Sequence, residues 1–234
     1  MTENVVYLRV ERADPALVKR AAAIPVSDLY EALPASVRDA ALMTPRMRAL
    51  APRSRMAGPA VTARCKSGDN LMLHKALLLA ERGDVLVVDG GEPSAAMWGD
   101  LAAVYADRKG LAGVVVDGCV RDVDALTPRQ HPVWCTTISP AHPEKCGGGA
   151  VNVPILCDGV TVHPGDIVCG DSDGVLVLPR DYAQAAIAKA EDRMQHEGLI
   201  LKAIEAGQSL FELHDLATPY AQSGVREIDG FWKK

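Results

Sequence analysis

The chain has 234 residues, 48% hydrophobic and 24% charged, which is enough apolar material for a sizeable buried core and excludes a disordered or fibrous chain. Its formal net charge is −5 and its Lys and Arg residues form no long basic run, so neither a nucleic-acid groove nor a membrane-surface patch is expected, while a small anionic ligand is not excluded. No stretch approaches the roughly 20 apolar residues of a membrane span, residues 1–10 lack a signal-peptide core, and the six separated cysteines form no C-x-x-C pair, which predicts a cytoplasmic protein with reduced, mostly buried thiols.

Residues 1–55 read as a helical lead-in. Two short apolar runs, Ala16 to Ala23 and Val26 to Leu33, predict small helices, the second with Ser27 as N-cap and Asp28 in its first turn. Residues 56–207 read as an α/β core. It begins with a strand over Gly58 to Ala63, a polar turn at Ser67-Gly68-Asp69-Asn70, a helix from Leu71 to about Glu81, and the strand Val85 to Val88 ending in Asp89-Gly90-Gly91. A helix from about Ser94 to Lys109 stops at Gly110, and the strand Gly113 to Val116 ends in Asp117-Gly118. Fully apolar strands alternating with helices predict parallel pairing with both faces covered. Strands over Val133 to Ile138, Val153 to Cys157, Asp166 to Cys169 and Gly174 to Leu178 look antiparallel or mixed, and a long helix from about Tyr182 to Ala206 closes the core. The expected fold is one single-domain layered structure, a central mixed sheet flanked by helices, followed by an irregular tail over residues 208–234.

In such sheets ligands gather beyond the carboxyl ends of the strands. Two of these ends carry charged, glycine-rich segments: Asp89-Gly90-Gly91 with the following Trp98-Gly99-Asp100-Leu101, and Asp117 to Asp122. A guanidinium binds a carboxylate or enolate in a fork, and a neighbouring carboxylate binds a hard cation, so Arg121-Asp122 can act on one ligand. Read locally, the pair serves equally well as a helix cap with surface ion pairs. Gly99 inside a helical pattern costs about 1 kcal/mol relative to Ala, which suggests a close approach to its backbone.

The ordered set of motifs goes further. Gly99-Asp100-Leu101, twenty residues from Leu101 to Val120, and then Arg121-Asp122 resembles the D-x20-R-D signature of the 4-hydroxy-4-methyl-2-oxoglutarate / 4-carboxy-4-hydroxy-2-oxoadipate aldolases. These are class II pyruvate aldolases whose fold is shared with the regulator of ribonuclease activity A. The resemblance extends through Ala57 to Thr62, Gly68-Asp69-Asn70, Val115 to Gly118, Val151 to Pro154, Pro164-Gly165-Asp166 and Asp171 to Val175 into the last helix.

The resemblance implies a lyase that needs Mg²⁺ or Mn²⁺ and cleaves a 4-hydroxy-2-oxo acid by way of a pyruvate enolate, with oxaloacetate decarboxylation as a side activity. Asp122 would ligate the metal and Asp100 would hold it through water. Arg121 would contact the keto oxygen, and Gly99, Asp100, Leu101 and Ala102 would line the substrate site, the amides near Leu101 and Ala102 receiving the carboxylate. Glu197 on the C-terminal helix matches a glutamate that reaches a neighbour's site in a homotrimer or homohexamer, with Glu191 and Glu205 less suited. Departures at Ala102-Ala103, at Gln208-Ser209-Leu210 and in the tail to Lys234 bear on the far end of the substrate.

A competing reading is a non-catalytic regulator that binds a ribonuclease or another partner protein. A Schiff-base aldolase ranks lower, since none of Lys66, Lys75, Lys109 and Lys145 sits inside an apolar strand. His74 is more simply a packing or surface residue than a site residue, and His131, His142, His163 and His214 read as surface. Gly147-Gly148-Gly149 reads as a flexible connection or lid, and Asp171-Ser172-Asp173-Gly174 as a tight turn.

Overall fold

The computed structural model describes residues 4–92 and 94–232, so Met1 to Glu3 of the lead-in and the last two residues of the tail lie outside the described residues. The lead-in holds one helix more than the sequence suggests. After β1 (Val5–Val6), α1 (Pro15–Ala22) starts on a proline and is capped by Asp14, whose carboxylate accepts the Ala16 amide. α2 (Val26–Ala32) is not capped by Ser27. Pro25 occupies the cap position, and the Val26 amide donates instead to Asp171, distant in sequence, at 2.9 Å. α3 (Ala35–Ala41) and the two-residue strand β2 (Arg48–Ala49) have no counterpart in the sequence reading.

β3 (Met56–Cys65), α4 (Leu71–Leu79) and β4 (Val85–Asp89) fall close to their expected places. The helix expected from Ser94 divides. β5 (Ala96–Trp98) comes first, and α5 (Asp100–Lys109) begins only after Gly99. A three-residue apolar run carries no period of its own, and parallel pairing with β6 (Gly113–Val120) decides its state. β6 likewise runs past Asp117-Gly118 to Val120, so Arg121 leaves directly from a strand end. There follow α6 (Val123–Leu126), β7 (Val133–Ile138), β8 (Gly149–Val151), β9 (Ile155–Cys157), β10 (Val160–Val162), β11 (Ile167–Gly170), β12 (Val175–Leu178), α7 (Arg180–Glu205), α8 (Leu210–Leu213) and α9 (Ala217–Gln222).

The sheet is mixed, in the order β1-β8-β3-β4-β6-β7-β2. Its centre, β3-β4-β6-β7, is parallel, while β8, β2 and the β11-β12 pair run antiparallel to their neighbours on it. β4 shows why its sequence is apolar throughout: Leu86 and Val88 pack on one face with α4 and α5, and Val85 and Val87 on the other with β9 to β12. All four are fully buried, each contributing about 1.5–3 kcal/mol.

By internal contacts the chain falls into two compact units, one reaching Ala190 and one from Glu191 onward. In the first, Ala183, Ala186, Ile187 and Ala190 of α7 join a core with α1, α2, β11 and β12. The second is helical. The tail expected to be irregular forms α8 and α9, with Ser209 and Glu212 making a reciprocal capping box at the start of α8. No helix among the described residues is long and apolar enough to cross a membrane.

Candidate active site

β5 and β6 end side by side. Trp98 pairs with Val120, and the Arg121 amide donates to the Trp98 carbonyl at 3.0 Å, so Gly99-Asp100 and Arg121-Asp122 leave adjacent strand ends together. Asp122 takes a left-handed backbone, φ 60° and ψ 35°, which Asp tolerates better than most side chains. Its Oδ2 accepts the Asp100 amide at 3.1 Å and lies 3.4 Å from Arg121 Nε. The extended backbone of Gly99, φ −162°, would suit any residue, but a Cβ there would fall 2.5 Å from Asp122 Oδ2 and 3.2 Å from Arg121 Nε. A Cβ at Gly99 would require the side chains of Asp122 and Arg121, which fold over it, to shift.

α5 starts at Asp100, and its first closing bond runs from the Ala103 amide to the Gly99 carbonyl. The amides of Asp100, Leu101 and Ala102 therefore belong to the turn that the helix itself leaves unsatisfied, a ready anion site. Asp122 takes the first, and the carboxylate of Asp100 bends back onto the second at 2.7 Å. A rotation of the Asp100 side chain would free the Leu101 amide.

Trp98 to Ala102 and Arg121 line a cavity of about 130 Å³ together with Asn70, His74, His142, Pro143 and Lys145, and Asp122 adjoins it through Asp100 and Arg121. Asn70 donates to the Met97 carbonyl at 3.1 Å, while its Oδ1 is buried with no hydrogen-bond partner among the described residues. Partial burial, and then Lys145, push the His74 imidazole below its ordinary value, so it is neutral near pH 7. His142 is exposed, and its Nδ1 lies 3.5 Å from Arg121 Nη1.

The chain following Lys145 is held by hydrogen bonds. The buried Asp69 accepts from the amides of Leu71, Cys146 and Gly147, and Asn4 accepts from Gly149 at 2.8 Å. Gly149, at φ 123°, would place a Cβ 1.9 Å from the Arg64 carbonyl oxygen. Of the triple glycine, read from sequence as a flexible connection or lid, Gly147 is bonded to Asp69 and Gly149 begins β8 against the Arg64 backbone, and none of the three lines the cavity.

Asp89 and Asp117 sit in register on β4 and β6 but are not among the cavity's lining residues, and Asp117 accepts the Asp158 amide at 2.7 Å. Asp171 and Asp173 form the expected turn. His131 is not a surface residue. It is 3% exposed, bonded to Asp107, and stacked on Trp98. Glu197 lies in the second unit, 3.2 Å from Arg193. Asn70, His142 and Lys145 were missed as cavity residues. Only Asn70 carried a signal, as the end of a polar turn that leads into a helix at a strand's carboxyl end.

Residues 26–177 match the RraA-like family described as Aldolase/RraA. The chain belongs to this family. A Halalkalibacterium halodurans protein named "Putative 4-hydroxy-4-methyl-2-oxoglutarate aldolase" is 39% identical over 152 residues, 64% of this chain and 72% of that one. Streptomyces coelicolor RraAS2, described as an unusual member of the RNase ES inhibitor RraA family, superposes with a TM-score of 0.71 at 31% identity, covering 82% of this chain and 98% of that one. The Thermus RNA-processing inhibitor RraA gives a TM-score of 0.55 at 38% identity, covering 59% and 84%.

The aldolase/RraA family thus contains proteins named for catalysis and proteins named for inhibition, and the donor set is what bears on a metal. Among the described residues no three His, Cys, Asp or Glu side chains converge on one point. Asp100 lines the cavity, and the partly solvated carboxylate of Asp122 lies beside it, against the Asp100 amide and Arg121. That all-oxygen set fits Mg²⁺ or Mn²⁺. Mg²⁺ keeps several waters and takes only one or two protein carboxylates.

Proposed function

We propose that this family member is a class II pyruvate aldolase that cleaves a 4-hydroxy-2-oxo acid of the 4-hydroxy-4-methyl-2-oxoglutarate or 4-carboxy-4-hydroxy-2-oxoadipate type, and decarboxylates oxaloacetate as a side activity. The observation that carries the reading is the meeting of Arg121 and the opening turn of α5 on one small cavity, with Asp122 bonded to the Asp100 amide and 3.4 Å from Arg121 beside it. Breaking the C3–C4 bond leaves an electron pair that is delocalised onto the C2 oxygen, so preplaced positive charge lowers the barrier. Arg121 supplies a fixed cation there that does not deprotonate. The amides of Leu101 and Ala102 receive the C1 carboxylate, which fixes the reacting bond relative to Arg121.

Asp122, and Asp100 through water, would hold a divalent cation, which would supply Lewis-acid chemistry at the keto group. Asp100 would also orient a water that takes the C4 hydroxyl proton as the C3–C4 bond of a 4-hydroxy acid is cleaved. Glu197 completes the site from the C-terminal helix of another copy in a homotrimer or homohexamer.

The test is pyruvate release from oxaloacetate and from 4-hydroxy-4-methyl-2-oxoglutarate with Mg²⁺ or Mn²⁺, repeated in EDTA. Turnover that depends on the cation supports the reading, and turnover that survives EDTA sinks the metal's part in it. The likeness to RraA proteins named as inhibitors keeps a second reading, a regulator of a ribonuclease. Inhibition of a ribonuclease that persists in Asp122→Ala, with no pyruvate formed by wild type, would favour it.

A further inference from the structure

We propose that His131 is a positioning residue for this site, clamping the strand before Gly99 to the helix after it. The proposal rests on the aldolase reading. His131 stands just before β7, far in sequence from the residues it touches. Its Nδ1 lies 2.8 Å from Asp107 Oδ1 on α5, the helix whose first turn carries Asp100, and Arg129 holds the other oxygen of Asp107 at 3.2 Å. Its ring stacks on Trp98 of β5, centroids 5.8 Å apart and planes within 9°. One imidazole therefore grips both segments that meet at Gly99.

What it grips is close to the reacting groups. Trp98 lines the cavity, and its carbonyl accepts the Arg121 amide at 3.0 Å. The next residue, Gly99, lies under Asp122 and Arg121 with no room for a Cβ. A shift of Trp98 is passed to the guanidinium and to the start of α5, because packed interiors leave no slack to absorb it.

Stability alone does not account for this pair. His131 Nε2 and Trp98 Nε1 are both buried without a hydrogen-bond partner among the described residues. Two apolar rings would fill the space without burying unpaired nitrogens. Burial pushes the His131 imidazole below its ordinary value against the pull of Asp107, so the neutral ring donates through Nδ1 and keeps one tautomer.

The experiment compares wild type with His131→Asn, which keeps a donor toward Asp107 but loses the ring, and His131→Phe, which keeps the ring but loses the donor. Asp107→Asn is the mildest variant, altering the bond from its partly exposed end, and it carries the test if a His131 variant fails to fold. The readouts are kcat and KM for oxaloacetate with Mg²⁺, affinity for oxalate as a mimic of the pyruvate enolate by calorimetry, and the melting temperature. The expected result for both His131 variants is a kcat lower by about ten- to a hundredfold, a similar loss of oxalate affinity, and a smaller change in KM for oxaloacetate, with the fold kept. For Asp107→Asn the expected fall is severalfold. In a Trp98→Leu background His131→Asn should cost nothing more.

Unchanged kcat and oxalate affinity in folded variants, or losses that multiply in the double variant, overturn the clamp. Wild type that binds oxalate without releasing pyruvate overturns the aldolase reading alone, and oxalate affinity then decides the role of His131. Wild type that does neither overturns both.

Discussion

The backbone amide of Asp100 donates to the carboxylate of Asp122 at 3.1 Å, so the two acidic residues of the proposed site are tied together. The tie explains their separation in sequence. α5 and β6, with the turn between them, form one crossover from β5 to its parallel neighbour, and that excursion returns the chain to the point where it left. The spacing between the two acids is the length of one helix and one strand.

Asp122→Asn separates charge from backbone. Asn accepts the left-handed conformation, so a melting temperature near that of wild type is expected, together with a loss of pyruvate release of at least about a hundredfold. Asp122→Ala should lose the same activity and a further 1–2 kcal/mol or so of stability from the unfavourable φ. Thermal melts beside initial rates check both. A near-normal rate in folded Asp122→Asn would remove its charge from the mechanism.

Gly99→Ala adds one methyl group where a Cβ meets the Asp122 carboxylate at 2.5 Å. Because φ of −162° suits alanine, the backbone should hold and the displaced groups should be Asp122 and Arg121. We expect a folded protein with kcat reduced by about a hundredfold. Circular dichroism and steady-state kinetics test this, and unchanged kcat would mean that the two side chains move aside harmlessly.

Asp69 gives a pH signature. Burial by itself would raise its carboxyl, but the amides of Leu71, Cys146 and Gly147 outweigh it and hold the group below its ordinary 3.8. The folded state thus binds this proton less readily than the unfolded chain. The stability so gained is fully present above about pH 4 and is lost as pH falls through the folded value. Denaturant melts of Asp69→Asn should show a deficit at pH 7 that narrows below pH 4. A deficit independent of pH would assign it to shape rather than charge.

Mixing inactive Glu197→Ala with inactive Asp122→Ala subunits tests the shared site. Recovery of pyruvate release after verified subunit exchange is expected, because some sites then combine an intact Asp122 with an intact Glu197. No recovery argues that Glu197 serves no neighbour.

Much of this was legible in local sequence. Val85 to Val88 could only be a strand buried on both faces, and Gly99 stood out against its helical surroundings for a reason the structure supplies, the side chains of Arg121 and Asp122. What escaped depends on partners far along the chain. Ala96 to Trp98 become a strand because β6 lies beside them, and α2 takes its cap from Asp171 in place of Ser27. His131 sits next to a proline like any surface histidine, and its burial is set by Trp98 and Asp107. The wall formed by His142 and Lys145 is invisible locally because Asp69, on a different loop, anchors it.

That anchoring separates two properties that are often entangled. The segment from Ala141 to Cys146 is fastened at both ends, at the Ala96 amide and at Asp69, and presents His142, Pro143 and Lys145 to the cavity. Arg121 and Asp122 hang from another part of the sheet. Under the proposed aldolase function, exchanges at Pro143 and Lys145 would alter which acid fits while leaving Arg121 and Asp122 in place, so a duplicated gene would diverge toward new substrates by changing a few codons.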